Sequence, residues 1–192
     1  MLTSISPLGE RGRGNRWAVT VTVYVAGSLL GGVTIGALLG LVGSALDASR
    51  GVLVAGALLC GLAALLDAVR RVPTGRRQVD EDWLVRYRGW VYAVGFGYQL
   101  GLGVVTIVTS AATYAALGLC LLSGSVVAGA AIGACFGLVR ALPILRLRSA
   151  ETPERLRAIG ARLEQLSRGA GRATTATLSA SAAALTVAAV LA

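Results

Sequence analysis

The 192 residues contain no histidine and no lysine, three cysteines, and only 14% charged residues. Each shortage excludes something. Histidine is the usual general base and the commonest metal ligand, so its absence removes zinc proteases of the HExxH kind and Ser–His intramembrane proteases. An aspartyl intramembrane protease needs two aspartates at mid-membrane, and Asp47 and Asp67 fall at the ends of apolar stretches. Cys60, Cys120 and Cys135 lie inside apolar runs, with neither zinc-site spacing nor the pattern of a secreted disulfide scaffold. No metal, cofactor or catalytic set is expected, and no enzyme activity is assigned. The charged fraction is well below the roughly 25% of a soluble domain.

What is present is 55% hydrophobic residues and a net charge of +9. All 18 basic residues are arginine, and they flank apolar stretches. A nucleic-acid surface would instead gather them into one patch with interleaved aromatics, so nucleic acid is not an expected partner. Anionic lipid headgroups are the expected partners of the arginine clusters. Charges are costly in lipid, and a membrane chain moves them to its loops. The charge-free stretches are Trp17 to Leu46, Gly51 to Leu66, Gly89 to Val139 and Ala173 to Ala192. A helix needs about 20 apolar residues to cross the hydrocarbon core. Trp17 to Leu46 is too long for a signal-peptide h-region of about 7–15 residues, so an uncleaved anchor is expected.

These lengths predict an all-α polytopic bundle of five membrane spans. A short N-terminus (1–16) precedes a four-span core (17–143) with spans at about 17–46, 51–69, 89–122 and 125–142. Residues 144–172 form an amphipathic cytoplasmic linker, and 173–192 the fifth span. Asp47-Ala-Ser-Arg50 is a polar turn, Arg70 to Arg88 a charged loop with the acidic triplet Asp80-Glu81-Asp82, and Ser123-Gly-Ser125 a break between spans three and four. With five spans, 17 of the 18 arginines fall on one side. That side is then cytoplasmic, with the N-terminus inside and the C-terminus outside. Heavy use of Arg, Gly, Ala and Val fits a GC-rich bacterial genome, and so a bacterial cytoplasmic membrane.

Within the linker, Thr152 and Pro153 form a helix start. Leu156, Ile159, Leu163 and Leu166 follow at helical spacing among charged residues. Such a helix lies on the inner membrane face, packs on its own bundle, or docks another protein.

Small residues recur every fourth position as Ser28, Gly32, Gly36, Gly40 and Ser44 in span one. Span four repeats the pattern with Ser125, Gly129, Gly133, Gly137 and Ala141. In lipid such ladders let helix backbones approach closely, or form a mobile seam. Trp17 aligns with Trp90, Gly51 with Gly124 and Gly56 with Gly129, a faint internal duplication. In span three, Tyr92, Gln99, Thr106 and Thr113 recur every seven residues, with Thr109 and Ser110 beside them. On one continuous helix this stripe (Gln99, Thr106, Thr109, Thr113) lines a substrate path, or bonds to its own carbonyls and a neighbouring helix. Cys60 and Cys135 act either as small buried hydrophobes or as a redox pair. Gly95-Phe-Gly97 is only a fragment of a dinucleotide fingerprint in apolar surroundings.

Tyr24-Val-Ala-Gly-Ser-Leu-Leu-Gly-Gly, a turn, then Gly51-Val-Leu-Val-Ala-Gly resembles the second and third helices of the CcdA/DsbD-like membrane thiol-electron transporters. Gly95-Phe-Gly-Tyr-Gln-Leu-Gly-Leu-Gly with Phe136-Gly-Leu-Val-Arg-Ala-Leu-Pro143 is similar to that family's fourth and fifth helices. The resemblance covers residues 15–145 and implies that family's helix architecture. It lacks the family's first helix, and the stretch Leu102-Gly-Val-Val-Thr-Ile has neither the cysteine nor the proline of the family's fourth helix. No active cysteine carries over. Three functions are therefore open: a permease-like or export component for a small solute; a thiol-redox or cytochrome-maturation accessory; and a non-catalytic subunit, as a homo-oligomer or within a larger membrane complex.

Overall fold

The computed structural model describes residues 5–46, 50–73, 83–105 and 108–191, and among these the regular structure is helical throughout. The helices are α1 (Pro7–Gly12), α2 (Trp17–Gly43), α3 (Arg50–Ala68), α4 (Trp83–Arg86), α5 (Gly89–Leu102), α6 (Ala112–Leu122), α7 (Val126–Ala141) and α8 (Pro153–Leu191). A 3-10 segment, Leu142–Ser149, prolongs α7. Pro143 sits in its first turn, and having no N–H it cannot continue the α-helical ladder of α7. The Asp47–Ser49 part of the polar turn and the acidic triplet lie outside the described residues.

Among the described residues, four helices are long and apolar enough to cross a membrane: Trp17–Gly43, Gly51–Ala68, Val126–Ser149 and Pro153–Leu191. The predicted third span differs. Residues 89–122 do not form one helix; α5 and α6 are separate, and the described residues between them, 103–105 and 108–111, are irregular. The tail differs as well. The amphipathic stretch and the last span are one continuous helix, α8, from Pro153 to Leu191, with no break at 173. No proline interrupts it, its alanines favour helix, and Thr174, Thr175 and Thr177 bond back to carbonyls one turn earlier. Thr152 accepts from the Arg155 amide at its start.

Helix α2 is the centre of the bundle. Against it α7 runs antiparallel: a Cβ added at Gly32 would strike the Gly133 carbonyl, at Gly36 that of Gly129, and at Gly40 that of Ser125. Ser28 closes the row by donating its hydroxyl to the Gly137 carbonyl at 2.7 Å. Helix α5 runs parallel to α2 on the adjoining face. Gly97 abuts the Tyr24 carbonyl and Gly101 that of Ser28, the same spacing as Trp90 to Trp17. Gly95 receives the Trp83 ring, which stacks on Phe96 at 6.0 Å. The glycines of Gly95-Phe-Gly97 thus admit an indole and a backbone.

The largest buried cluster gathers Ile5, Val21, Tyr24, Tyr92, Phe96, Ile144 and Leu147 at the Trp17 end, with Leu156 and Ile159 of α8 packed against it. At the other end α6 fills the place beside α2, with Gly43 pressed on the Leu121 carbonyl. Helix α3 lies antiparallel to α6, with Leu59 against Gly118 and Gly56 near Leu119 and Leu122. Helix α8 covers α3, with Leu185 reaching Gly56.

Candidate functional site: the break between α5 and α6

The break follows from residue chemistry. Helix α5 ends at Gly103, in the left-handed region at φ 77°, where a side chain is strained. Its amide bonds to Leu100, and the Phe136 ring lies where a Cβ would fall. Leu102 lies against Gly31, about halfway along α2. Helix resumes at Ala112.

Both raw helix ends meet a charge of the favourable sign. A helix C-terminus carries partial negative charge and an N-terminus partial positive charge. Arg140 of α7 donates to the Leu100 carbonyl at 3.1 Å and lies over the Phe136 ring at 5.3 Å. Asp67 of α3 accepts from the Ser110 hydroxyl and the Ala111 amide, both at 2.7 Å. Ser110 in turn accepts from the Ala112 amide at 3.1 Å. The N-cap residue Ala111 has no polar side chain, so Ser110 and, from another helix, Asp67 supply the acceptors.

By sequence Asp67 stands at the end of an apolar stretch. It is in the last turn of α3, but α3 does not reach the Trp17 end of the bundle. Asp67 lies about 16 Å along the bundle from Gly56, which stands near the Gly43 end, while α2 is about 40 Å long at 1.5 Å per residue. The carboxylate is therefore well inside the length of the bundle.

Beside it is a half-open cavity of about 890 Å³ between α3, residues 108–110 and α8. Asp67, Arg70, Thr109, Ser110, Arg172 and Thr175 supply its polar lining. An apolar groove of about 280 Å³ adjoins it, between α3 and α6. The cavity can hold a small polar solute by hydrogen bonds and by charges of both signs.

Of the predicted path residues, Thr109 lines this cavity. Thr113 is buried in the first turn of α6, and Gln99 is half-buried on α5. Thr106 lies outside the described residues. The seven-residue stripe does not exist as one helical face, because its members stand on two helices and the segment between them. Cys60 and Cys120 are buried, Cys135 is exposed, and all three are free thiols.

A second polar centre lies at the Trp17 end. Glu10 is fully buried and accepts from the Tyr92 hydroxyl at 2.7 Å and the Thr20 hydroxyl at 2.9 Å. Arg13 pairs with the same carboxylate and lies over the Tyr92 ring at 5.7 Å. Asn15 donates to the Tyr92 oxygen at 3.1 Å. Burial works to lower the Arg13 pKa, but its hydrogen bonds to Glu10 and Tyr92 outweigh this and hold it above the ordinary value. This centre ties α1 to α2 and α5. The sequence held two signs of these sites: Glu10 stands three residues before Arg13, and Asp67 is the one acid in an otherwise apolar span.

Comparison with known proteins places the chain beside one group of relatives. It is 32% identical over 154 residues to the methylamine utilization protein MauF of Methylophilus methylotrophus, covering 74% of this chain and 53% of that protein. It is 34% identical over 154 residues to the MauF of Paracoccus versutus, covering 74% and 56%. It is 35% identical over 154 residues to that of Paracoccus denitrificans, covering 74% and 55%. The chain spans about half the length of the curated relatives it matches. No family model and no solved structure matches it.

Proposed function

We propose that this protein is an integral-membrane accessory of methylamine utilization, serving a redox or maturation step rather than acting as a free-standing enzyme. The likeness to the methylamine utilization proteins MauF over 74% of the chain carries this reading. The apolar helices support a membrane location. The arginine distribution supports an orientation with the Trp17 end of the bundle in the cytoplasm. In this reading the helix arrangement is CcdA/DsbD-like, and the protein works within a larger membrane complex. Its chemistry runs through the packed helices and the polar break. A Cys60–Cys135 relay has less support, since one thiol is buried and the other exposed. The test is deletion of the gene in its native host. Growth on methylamine should be lost while growth on succinate is kept. Unchanged growth, or a host that never uses methylamine, overturns the proposal.

The cavity at the break supports a second reading, an export or permease component for a small solute. Broken helices and polar groups at mid-bundle are how many transporters hold substrates. In that case Thr109→Val with Ser110→Ala would abolish movement of labelled methylamine in whole cells. Uptake and release equal to those of the parent strain count against it.

A further inference from the structure

A second cavity, of about 690 Å³, lies at the Trp17 end between α2, α4 and α5. Arg13, Asn15, Arg16, Tyr87, Arg88 and Trp90 supply its polar and aromatic lining. Among the described residues no acidic side chain lines it. Arg13 is paired with Glu10, whereas Arg16 and Arg88 are exposed and have no acidic partner among the described residues.

The parallel packing of α2 and α5 brings their N-termini to this one cavity. Arg16 is the N-cap of α2 and Arg88 that of α5, and neither helix has a capping side-chain hydrogen bond. Two positive helix ends and the guanidinium groups thus converge on one space. The surroundings indicate its place in the membrane. The three tryptophans of the chain, Trp17, Trp83 and Trp90, all stand at this end, with Tyr87 beside them. Such aromatics mark the headgroup level of a bilayer. Trp90 is 57% exposed and Tyr87 46% exposed, as side chains facing an interface are.

We propose that this cavity binds the phosphate of an anionic phospholipid headgroup, held by Arg16 and Arg88 with the first amides of α5, at Gly89 and Trp90. The lipid's acyl chains run along the exposed apolar surface of the bundle, and Trp90 and Tyr87 flank its glycerol region. The inference does not depend on the methylamine reading.

The full-length protein is reconstituted into nanodiscs of phosphatidylcholine with a minor share of phosphatidylglycerol, and its retained lipid is identified by native mass spectrometry. Phosphatidylglycerol should be enriched in the wild type. Enrichment should fall about fivefold for each arginine removed in Arg16→Gln and Arg88→Gln. The variant Arg155→Gln/Arg157→Gln, with the same charge loss on α8, should keep it. Equal retention in the Arg16 and Arg88 variants overturns the proposal, as does equal loss in the α8 variant. If Arg16→Gln does not fold, Arg88→Gln alone decides. A millimolar inorganic phosphate arm separates the two sources of phosphate: failure to displace the lipid supports the headgroup, and full displacement overturns it in favour of a soluble anion.

Discussion

Along α2, α5 and α7, a Cβ added at Gly31, Gly32, Gly36, Gly97, Gly101 or Gly133 would fall on a backbone atom of the facing helix. Along α3 and α8 the same residue type behaves otherwise. Gly56 meets only leucine side chains, and Gly61, Gly160, Gly169 and Gly171 meet nothing within 4 Å. One side of the bundle is joined backbone to backbone, where no rotamer can adjust. The other is joined by leucines and alanines that can. In lipid, where apolar burial between helices gives little drive, the first kind of joint depends on contact geometry and fails on a single added methyl. The second tolerates change, and the polar cavity and the break at Asp67 lie on that side.

The sharpest way to break this comparison is Gly36→Leu, which puts four carbons against the Gly129 carbonyl. It should cost about 3 kcal/mol or prevent folding, read by thermal unfolding in detergent. An unchanged midpoint would mean that the seam is not tight. Next is Glu10→Gln, which keeps the shape but removes the charge that Arg13, Tyr92 and Thr20 address. A loss of about 2 kcal/mol is expected, and a double-mutant cycle with Arg13→Gln should show coupling. Additive effects would sink the idea of one linked cluster.

Asp67→Ala should cost about 1–2 kcal/mol, since it leaves the Ala111 amide and the Ser110 hydroxyl without their acceptor. Hydrogen exchange should quicken at residues 111–113 and stay the same in α2; quickening throughout would mean a global role instead. The smallest effect is expected at Gly61→Ala and Gly169→Ala. Both positions are helical and open, so alanine should stabilise by up to about 1 kcal/mol. A loss there would show that the α3–α8 side is as tightly joined as the seam.

The sequence was most legible where the physics is local or one-dimensional. Apolar length marked the helices, and charge marked where they end. The ladders Ser28–Ser44 and Ser125–Ala141 could be seen as faces, though not as facing each other, because pairing is a property of two segments. The break between α5 and α6 was hidden within an unbroken apolar run. Gly103 was its one local sign, and glycine is too common here to single it out. Asp67 was legible as a charge at the end of a span. Its role depends on α3 and α6 lying side by side with a stagger that no local pattern contains.

By itself, then, the sequence determined the class of molecule. Hydrocarbon excludes charge, so a chain with long charge-free stretches and arginines between them must form apolar helices. The tertiary structure decided where the chemistry sits. It laid α5 beside α2 in parallel, which brought two uncapped helix N-termini and the arginines Arg16 and Arg88 to one cavity. It also ended α5 halfway along α2, so that Arg140 and Asp67 meet exposed helix ends inside the bundle. The physical reason is the same in both cases. A backbone polar group inside such a bundle must find a partner, and only the packing of distant segments determines which one.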